Sequence, residues 1–316
     1  MPRWLPESLK RHIKSTLAAL GARRRVAELE RSERHVGQAE LVAGLRGLGV
    51  EPGDTLFVHS SLKSLGFVEG GPAGVIAALQ QSVGPEGTLL LPTYYVPGGT
   101  ILASCEMRDY VFNKRVHGTN MGALPAQFLA TPGVQRSIHP THSVSALGRH
   151  ARHVTESHHR APSVFGVGSP WERFVGLPRA KVLGLGVSMG PVTFYHLLED
   201  TMGDRFPVPV WLEKVYSMPC IDEDGHRCIV PVRAFDPVIA ERRIDHKPRA
   251  DLRAFFAAEF ERAGLKRNGL VGLGESWVIP GRAFLDHLHA MAEQTITIYS
   301  TAEELAAWRP PPSPAQ

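Results

Sequence analysis

An α/β fold with buried strands is what this sequence predicts, and three observations carry the prediction. Short continuous apolar runs recur along the chain, such as "TLFVH" (55–59) and "AKVLGLGV" (180–187), and suit strands covered on both faces. Between them lie segments whose apolar residues repeat at helical spacing. Gly, Pro and Asp punctuate the joints, as in "EPGD" (51–54) and "GPEG" (84–87). Strands alternating with helices in this way belong to layered α/β architectures.

Composition bounds the function. The chain has 316 residues, 43% hydrophobic and 21% charged, which favours a packed core over disorder. A formal net charge of +4 is compatible with an anionic ligand. It is too weak and scattered to argue for nucleic acid, and no recognition motif accompanies it. Cys105, Cys220 and Cys228 form no CxxC pair and no zinc spacing, which points to a reducing compartment. No apolar run approaches the roughly 20 residues of a membrane span. Charges interrupt "MPRWLPESLKRHIKSTLAALGARRR", so no signal peptide is read there, and a cytoplasmic protein is expected.

The elements follow in order. Leu9, Ile13, Leu17 and Leu20 predict a helix over 7–32, inside a basic N-terminal extension of residues 1–37. A main domain follows over 38–300. It opens with a helix at about 38–48 and the strand "TLFVH". "AGVIAALQQSV" (73–83) is the next helix, and "PEGTLLLPTY" (85–94) a turn and strand. "LPAQFLAT" (124–131) reads as helix, "HSVSALG" (142–148) as strand and "SPWERFVGL" (169–177) as a short capped helix. "AKVLGLGV" is a strand and "TFYHLLED" (193–200) a helix. Segment 208–232, with "DEDG" between extended runs, predicts a β-hairpin insertion. Residues 247–265 form an amphipathic helix, "GLVGLGESWVIP" (269–280) a strand and 281–293 the last long helix. Residues 301–316, ending "RPPPSPAQ", read as a Pro-rich tail.

Three stretches could carry chemistry. In "HSSLKSLG" (59–66), followed by "GGPAG" (70–74), hydroxyls and backbone N–H groups meet at a strand–helix junction. That suits a phosphate, although no Walker or GxGxxG pattern is present and an ordinary turn would read alike. "RSIHPTHSVSALG" (136–148) crowds Arg136, His139 and His142 into one loop. A metal site there would lack a third ligand, so none is expected; backbone hydrogen bonding at the Pro turn is the simpler account. "HARHVTESHHR" (150–160) reads as a solvated helix face and loop. In "GPVTFYHLLED" (190–200), a helix places Thr193, His196 and Glu199 on one stripe. That stripe is either a polar patch on a core helix or an acid–base pair, since an imidazole can take a proton near neutral pH.

The order of these stretches resembles one family. "TLFVHSSLKSLGFVEGG", "VGPEGTLLLPTY", "TNMGALPAQF", "PGVQRSIHPTHSVSALG", "GVGSPWERF", "VLGLGVSMGPVTFYHLLE" and "GLVGLGESWVIPGRAFLDHL" together resemble the aminoglycoside 3-N-acetyltransferases of the antibiotic N-acetyltransferase superfamily, from about residue 38 to about 293. The resemblance implies that family's own α/β fold, with a central mixed sheet flanked by helices and distinct from the GNAT fold. It implies acetyl transfer from acetyl-CoA, without a metal, to an amino group of an aminoglycoside at the 3-N position (EC 2.3.1.81) or of a related amino sugar. By the same resemblance His196 of the T-x-x-H-x-x-E motif is the general base, Glu199 its supporting partner, and Thr193 lines the site. Ser60, Ser61, Leu62 and Ser64 would hold the CoA pyrophosphate, with Thr93, Ser143 and Val144 on the cosubstrate side. CoA and a small-molecule amine are the expected partners, and a second copy of the chain the candidate protein partner.

Two features depart from the resistance enzymes. In "YYVPGGTILASCEMRDYVFNKR" (94–115), Glu106 and Asp109 are outweighed by Arg108, Lys114 and Arg115, a poor lip for a polycationic drug. The basic extension is the other. An amino sugar with fewer positive charges, or one bearing phosphate or nucleotide, fits better. Three other readings remain: a biosynthetic N-acyltransferase, a non-catalytic CoA-binding relative, and a metal-dependent hydrolase on His139 and His142.

Overall fold

The computed structural model describes residues 35–309. The helix expected over 7–32 and the end of the Pro-rich tail lie outside the described residues.

Twelve strands occur among the described residues: β1 (His35–Val36), β2 (Thr55–Ser60), β3 (Phe67–Val68), β4 (Thr88–Pro92), β5 (Phe112–Asn113), β6 (Gln135–Arg136), β7 (Val144–Gly148), β8 (Ala180–Leu185), β9 (Trp211–Ile221), β10 (Arg227–Phe235), β11 (Arg267–Val271) and β12 (Gly274–Pro280). Seven of them form one mixed sheet in the order β11-β12-β8-β2-β4-β7-β6. The β8–β2–β4 centre is parallel and both flanks are antiparallel. The two-residue alternation of a strand then sorts side chains between two cores. Phe57, Leu90, Val182 and Ile279 face one core. Their neighbours Leu56, Val58, Leu89, Leu91, Leu183 and Val278 face the other. Helices Gln38–Gly47, Gly71–Val83 and Ala123–Leu129 pack over the second core, and Pro170–Val175, Ala250–Arg262 and Gly281–Ala292 over the first.

Gly184 in β8 explains one close approach. A Cβ there would lie 2.1 Å from the Trp277 ring of β12, so only glycine lets the indole lie flat across the strand. Trp277 Nε1 then donates to the Val187 carbonyl at 2.8 Å and fixes the loop that follows β8.

The insertion at 208–232 is a hairpin, β9 and β10 pairing antiparallel over residues 211–235. β5, from the 94–115 lip, adds a parallel strand to it, and a small third core of Tyr110, Phe112, Met218 and Val232 fills the gap.

Four local expectations change. "GLVGLGESWVIP" is a hairpin rather than one strand: Gly272 takes φ +58°, and the Leu273 N–H bonds the Leu65 carbonyl at 3.0 Å, which turns the chain between β11 and β12. "TFYHLLED" is a 3₁₀ turn (Thr193–Tyr195) that passes into an α-helix at His196 (His196–Met202). His158, expected at a solvated face, is 1% exposed. Ala302–Ala307, inside the expected tail, is a helix closed by a Thr301–Glu304 capping box.

Candidate active site

The sheet's parallel centre aims the ends of β2 and β8 at one region, the usual place for ligands in open α/β sheets. After β2, Ser61 N donates to the Leu185 carbonyl at 2.9 Å, and Leu62–Leu65 make one 3₁₀ turn. Ser64 Oγ donates to Ser61 Oγ at 2.9 Å and faces a cleft of about 840 Å³. The loop after β8, the β11–β12 hairpin and helix Ala250–Arg262 complete that cleft, with Arg253, Lys266, Leu273 and Trp277 on its walls. Ser60, Ser61 and Leu62 lie beside it but are not on its walls, and neither is the helix start at residues 70–74.

Thr93, Ser143 and Val144 do not open onto a cavity in this structure. All three are fully buried and line none of the described cavities. Ser143 Oγ donates to the Thr93 carbonyl and accepts from Arg136 Nε, both at 2.9 Å. Arg136 Nη2 adds bonds to the Thr93 and Gly118 carbonyls at 2.7 and 2.9 Å. Burial pushes the Arg136 guanidinium down to about 10. Thr93, Arg136 and Ser143 form a buried polar frame. A buried polar group must be paired, and the pairing has used their donors and acceptors.

His196 belongs to a second, smaller cavity of about 250 Å³, which it lines with Tyr94, His142, Thr193, Phe235 and Asp245. Glu199 Oε1 bonds His196 Nδ1 at 2.9 Å and accepts from Tyr299 Oη at 2.7 Å. The Glu199 side chain is 1% exposed. The carboxylate thus holds the imidazole by Nδ1 and leaves Nε2 as the ring nitrogen open to the cavity. Phe165 and Phe235 pack on the ring, each with centroids 5.0 Å away. Thr193 Oγ1 accepts from Trp171 Nε1 at 3.2 Å, so it lines the cavity as part of its floor. Thr193, His196 and Glu199 are therefore brought together as their spacing predicts.

His139 acts locally, whereas His142 also borders the small cavity. His139 Nδ1 accepts the N–H groups of Thr141 and His142 at 3.3 and 3.0 Å, the turn role open to it in the sequence. Burial drives both imidazoles well below their ordinary pKa, and their neighbouring histidines add to it. Imidazoles so held are neutral.

Some site residues were not singled out from the sequence. Arg253 donates to the Ile244 and His246 carbonyls at 2.8 Å, which joins the large cleft to the loop behind the small one. Arg243 grips Asp245 through two bonds of 2.6 and 2.9 Å. Burial opposes ionisation of Asp245, but Arg243 outweighs it and leaves the carboxyl below its ordinary value. The basic run "ERRIDHKPR" was the available signal. In the lip, Lys114 is paired with Glu223 of the hairpin turn at 2.7 Å, which removes one of its three cations from the balance. Asp200 and Asp204 line a separate cavity of about 460 Å³, with Glu199 and Trp211.

A carboxylate-held imidazole in a small cavity, one loop from a larger cleft, suits the transfer of a group between two ligands. The family model for aminoglycoside 3-N-acetyltransferases matches residues 57–293. An aminoglycoside N(3)-acetyltransferase III of Serratia marcescens is 35% identical over 250 residues, covering 75% of this chain and 90% of that one. The solved structure of aminoglycoside acetyltransferase AAC(3)-Xa superposes with a TM-score of 0.70 at 28% identity, over 87% of this chain and 99% of that one. A structure described as AAC-IIIb binary with CoASH gives 0.69 at 26%, over 85% and 100%. The chain belongs to the aminoglycoside 3-N-acetyltransferase family and is an acyltransferase with that family's mixed α/β fold.

Proposed function

We propose that this protein transfers the acetyl group of acetyl-CoA to an amino group of an aminoglycoside, at the 3-N position, or of a related amino sugar. The observation that carries the reading is the Glu199–His196 pair, which presents Nε2 to a cavity one loop from the long cleft. Residues 186–193 wall both: Gly186–Met189 line the cleft and Gly190–Thr193 the cavity.

The cleft's donor set fits CoA. Ser64 and Ser188 offer hydroxyls, Arg253 a guanidinium anchored on the Ile244, His246 and Lys247 carbonyls, and Lys266 an ammonium shared with Glu261, while Leu270, Leu273 and Trp277 offer apolar surface to the thiol arm. The thioester supplies an activated acetyl group. His196 Nε2 takes the proton that the attacking amine releases, and Glu199 stabilises the imidazolium through Nδ1. Such general-base help contributes about 10²–10⁴-fold. Holding amine and thioester side by side contributes several kcal/mol more.

The small cavity favours an acceptor with few charges. It has room for about one sugar ring, and among the described residues its one carboxylate, Asp245, is already claimed by Arg243. A mono-amino sugar such as glucosamine is therefore expected to show a higher kcat/KM than gentamicin, followed by thiol release from acetyl-CoA. The lip adds no net bias, because with Lys114 paired to Glu223 its Arg108 and Arg115 are matched by Glu106 and Asp109. Efficient acetylation of several aminoglycosides at low salt would overturn the charge argument. No thiol release with any amine, despite CoA binding, would favour the non-catalytic relative.

The cleft has its own test. Ser64→Leu places a bulky apolar side chain on its wall and should raise the calorimetric Kd for CoA about tenfold. A variant with unchanged CoA affinity would remove Ser64 from the cosubstrate site.

A further inference from the structure

The cavity that holds His196 contains two hydrogen-bond donors with no partner in the protein. The Tyr94 hydroxyl is buried and makes no hydrogen bond. The Thr193 hydroxyl, which accepts from Trp171 Nε1, stands beside it and is its nearest polar neighbour. The other donor is on His142, whose tautomer follows from its neighbours. Thr141 Oγ1 lies 2.8 Å from His142 Nδ1 and 3.4 Å from His139 Nδ1. The His139 lone pair is already taken by two backbone N–H groups. With the Thr141 hydroxyl donating to His142 Nδ1, the ring hydrogen sits on Nε2, which has no hydrogen-bond partner among the described residues.

The two rings meet edge to face at 4.8 Å, and both line the cavity. Phe165 packs against His142 at 5.1 Å and against His196 at 5.0 Å, so all three groups border one space. Burial keeps both donors neutral and proton-bearing: it raises the Tyr94 phenol, and it lowers the His142 imidazole, with His196, His158 and Arg243 adding to the second effect. A buried phenol with no bond of good geometry and a ring N–H beside it on the cavity wall suit an acceptor oxygen from a ligand.

We propose that Tyr94 and His142 are catalytic residues that together hold the thioester carbonyl oxygen of the acyl donor as negative charge develops on it. The proposal rests on the acetyl-transfer reading above. As the amine lone pair forms the N–C bond, the carbonyl π pair moves onto oxygen and meets the two donors. The pair returns as the C–S bond breaks and sulfur leaves with the bonding electrons. The proton shed by nitrogen passes to His196 Nε2 and on to the departing sulfur. Fixed neutral donors aimed at a developing oxyanion are effective because they need no reorganisation during the step.

The test uses acetyl-CoA labelled with ¹³C at the thioester carbonyl, bound to the full-length protein and read by difference infrared spectroscopy. The bound carbonyl band should move to lower wavenumber in the wild type, and the Tyr94→Phe, His142→Phe double variant should lose the shift while calorimetry shows CoA still bound. Each single change should lower kcat about 100-fold, measured with whichever of glucosamine and gentamicin the wild type acetylates faster. His142→Gln, which restores an N–H near the Nε2 position, should recover at least part of that loss and serves if His142→Phe does not fold. A wild-type band at the free frequency, or a shift that survives in the double variant, overturns the donor pair. Failure of the wild type to bind acetyl-CoA at all would overturn the acetyl-transfer reading and this proposal with it.

Discussion

His196→Ala is expected to lower kcat by about 10²–10⁴-fold while the calorimetric Kd for CoA stays within about twofold of wild type. The two readouts separate because His196 lines the 250 Å³ cavity and not the 840 Å³ cleft. Proton removal is needed as the N–C bond forms and contributes little to ground-state binding. Glu199→Gln should cost less, because the amide oxygen can still accept from Tyr299 Oη or from His196 Nδ1, although it cannot offset an imidazolium. A His196→Ala protein with near wild-type turnover would return the stripe to a polar patch on a core helix.

Trp171→Ala should destabilise the fold by about 3–5 kcal/mol, the range for emptying a buried aromatic site. Trp171 is 0% exposed and touches Phe57, Tyr94, His158 and Phe165 by ring contacts of 4.7–6.3 Å. For a chain of this size each kcal/mol lowers Tm by about 2–4 °C, so a fall of roughly 6–20 °C is expected in a thermal melt. The loss also removes the Nε1 bond to Thr193, so the cavity floor should loosen with the core. A melt within 2 °C of wild type, on the order of one kcal/mol or less, would show that the site collapses without strain.

The sequence made the sheet legible because its central strands are buried on both faces and read as unbroken apolar runs. The T-x-x-H-x-x-E stripe was legible because its three residues lie within seven positions, so local geometry alone brings them together. The β11–β12 turn was not: it carries Leu273 where a polar turn residue would have signalled it, and Gly272 supplies the needed φ unaided. Thr93 and Ser143 were misplaced for a different reason. They sit in motifs that reach the site, but they bond each other, Arg136 and Ser145, and only the fold brings those groups together. Arg253 and Lys266 come from the last third of the chain, and no spacing relates them to Ser64.

The two cavities also have different origins within the chain. The cleft and the His196–Glu199 pair are anchored on the central sheet and its helices. The far wall of the small cavity comes from Phe235 at the end of the inserted hairpin and from Arg243 and Asp245 in the loop after it. That wall carries no strand of the central sheet, although Phe235 and Ile244 also reach the first core. Such an arrangement is open to diversification: drift in the insertion can alter which amine is accepted while selection on the sheet preserves the chemistry. Descendants of one ancestor could in this way come to serve different acceptors with the same catalytic histidine.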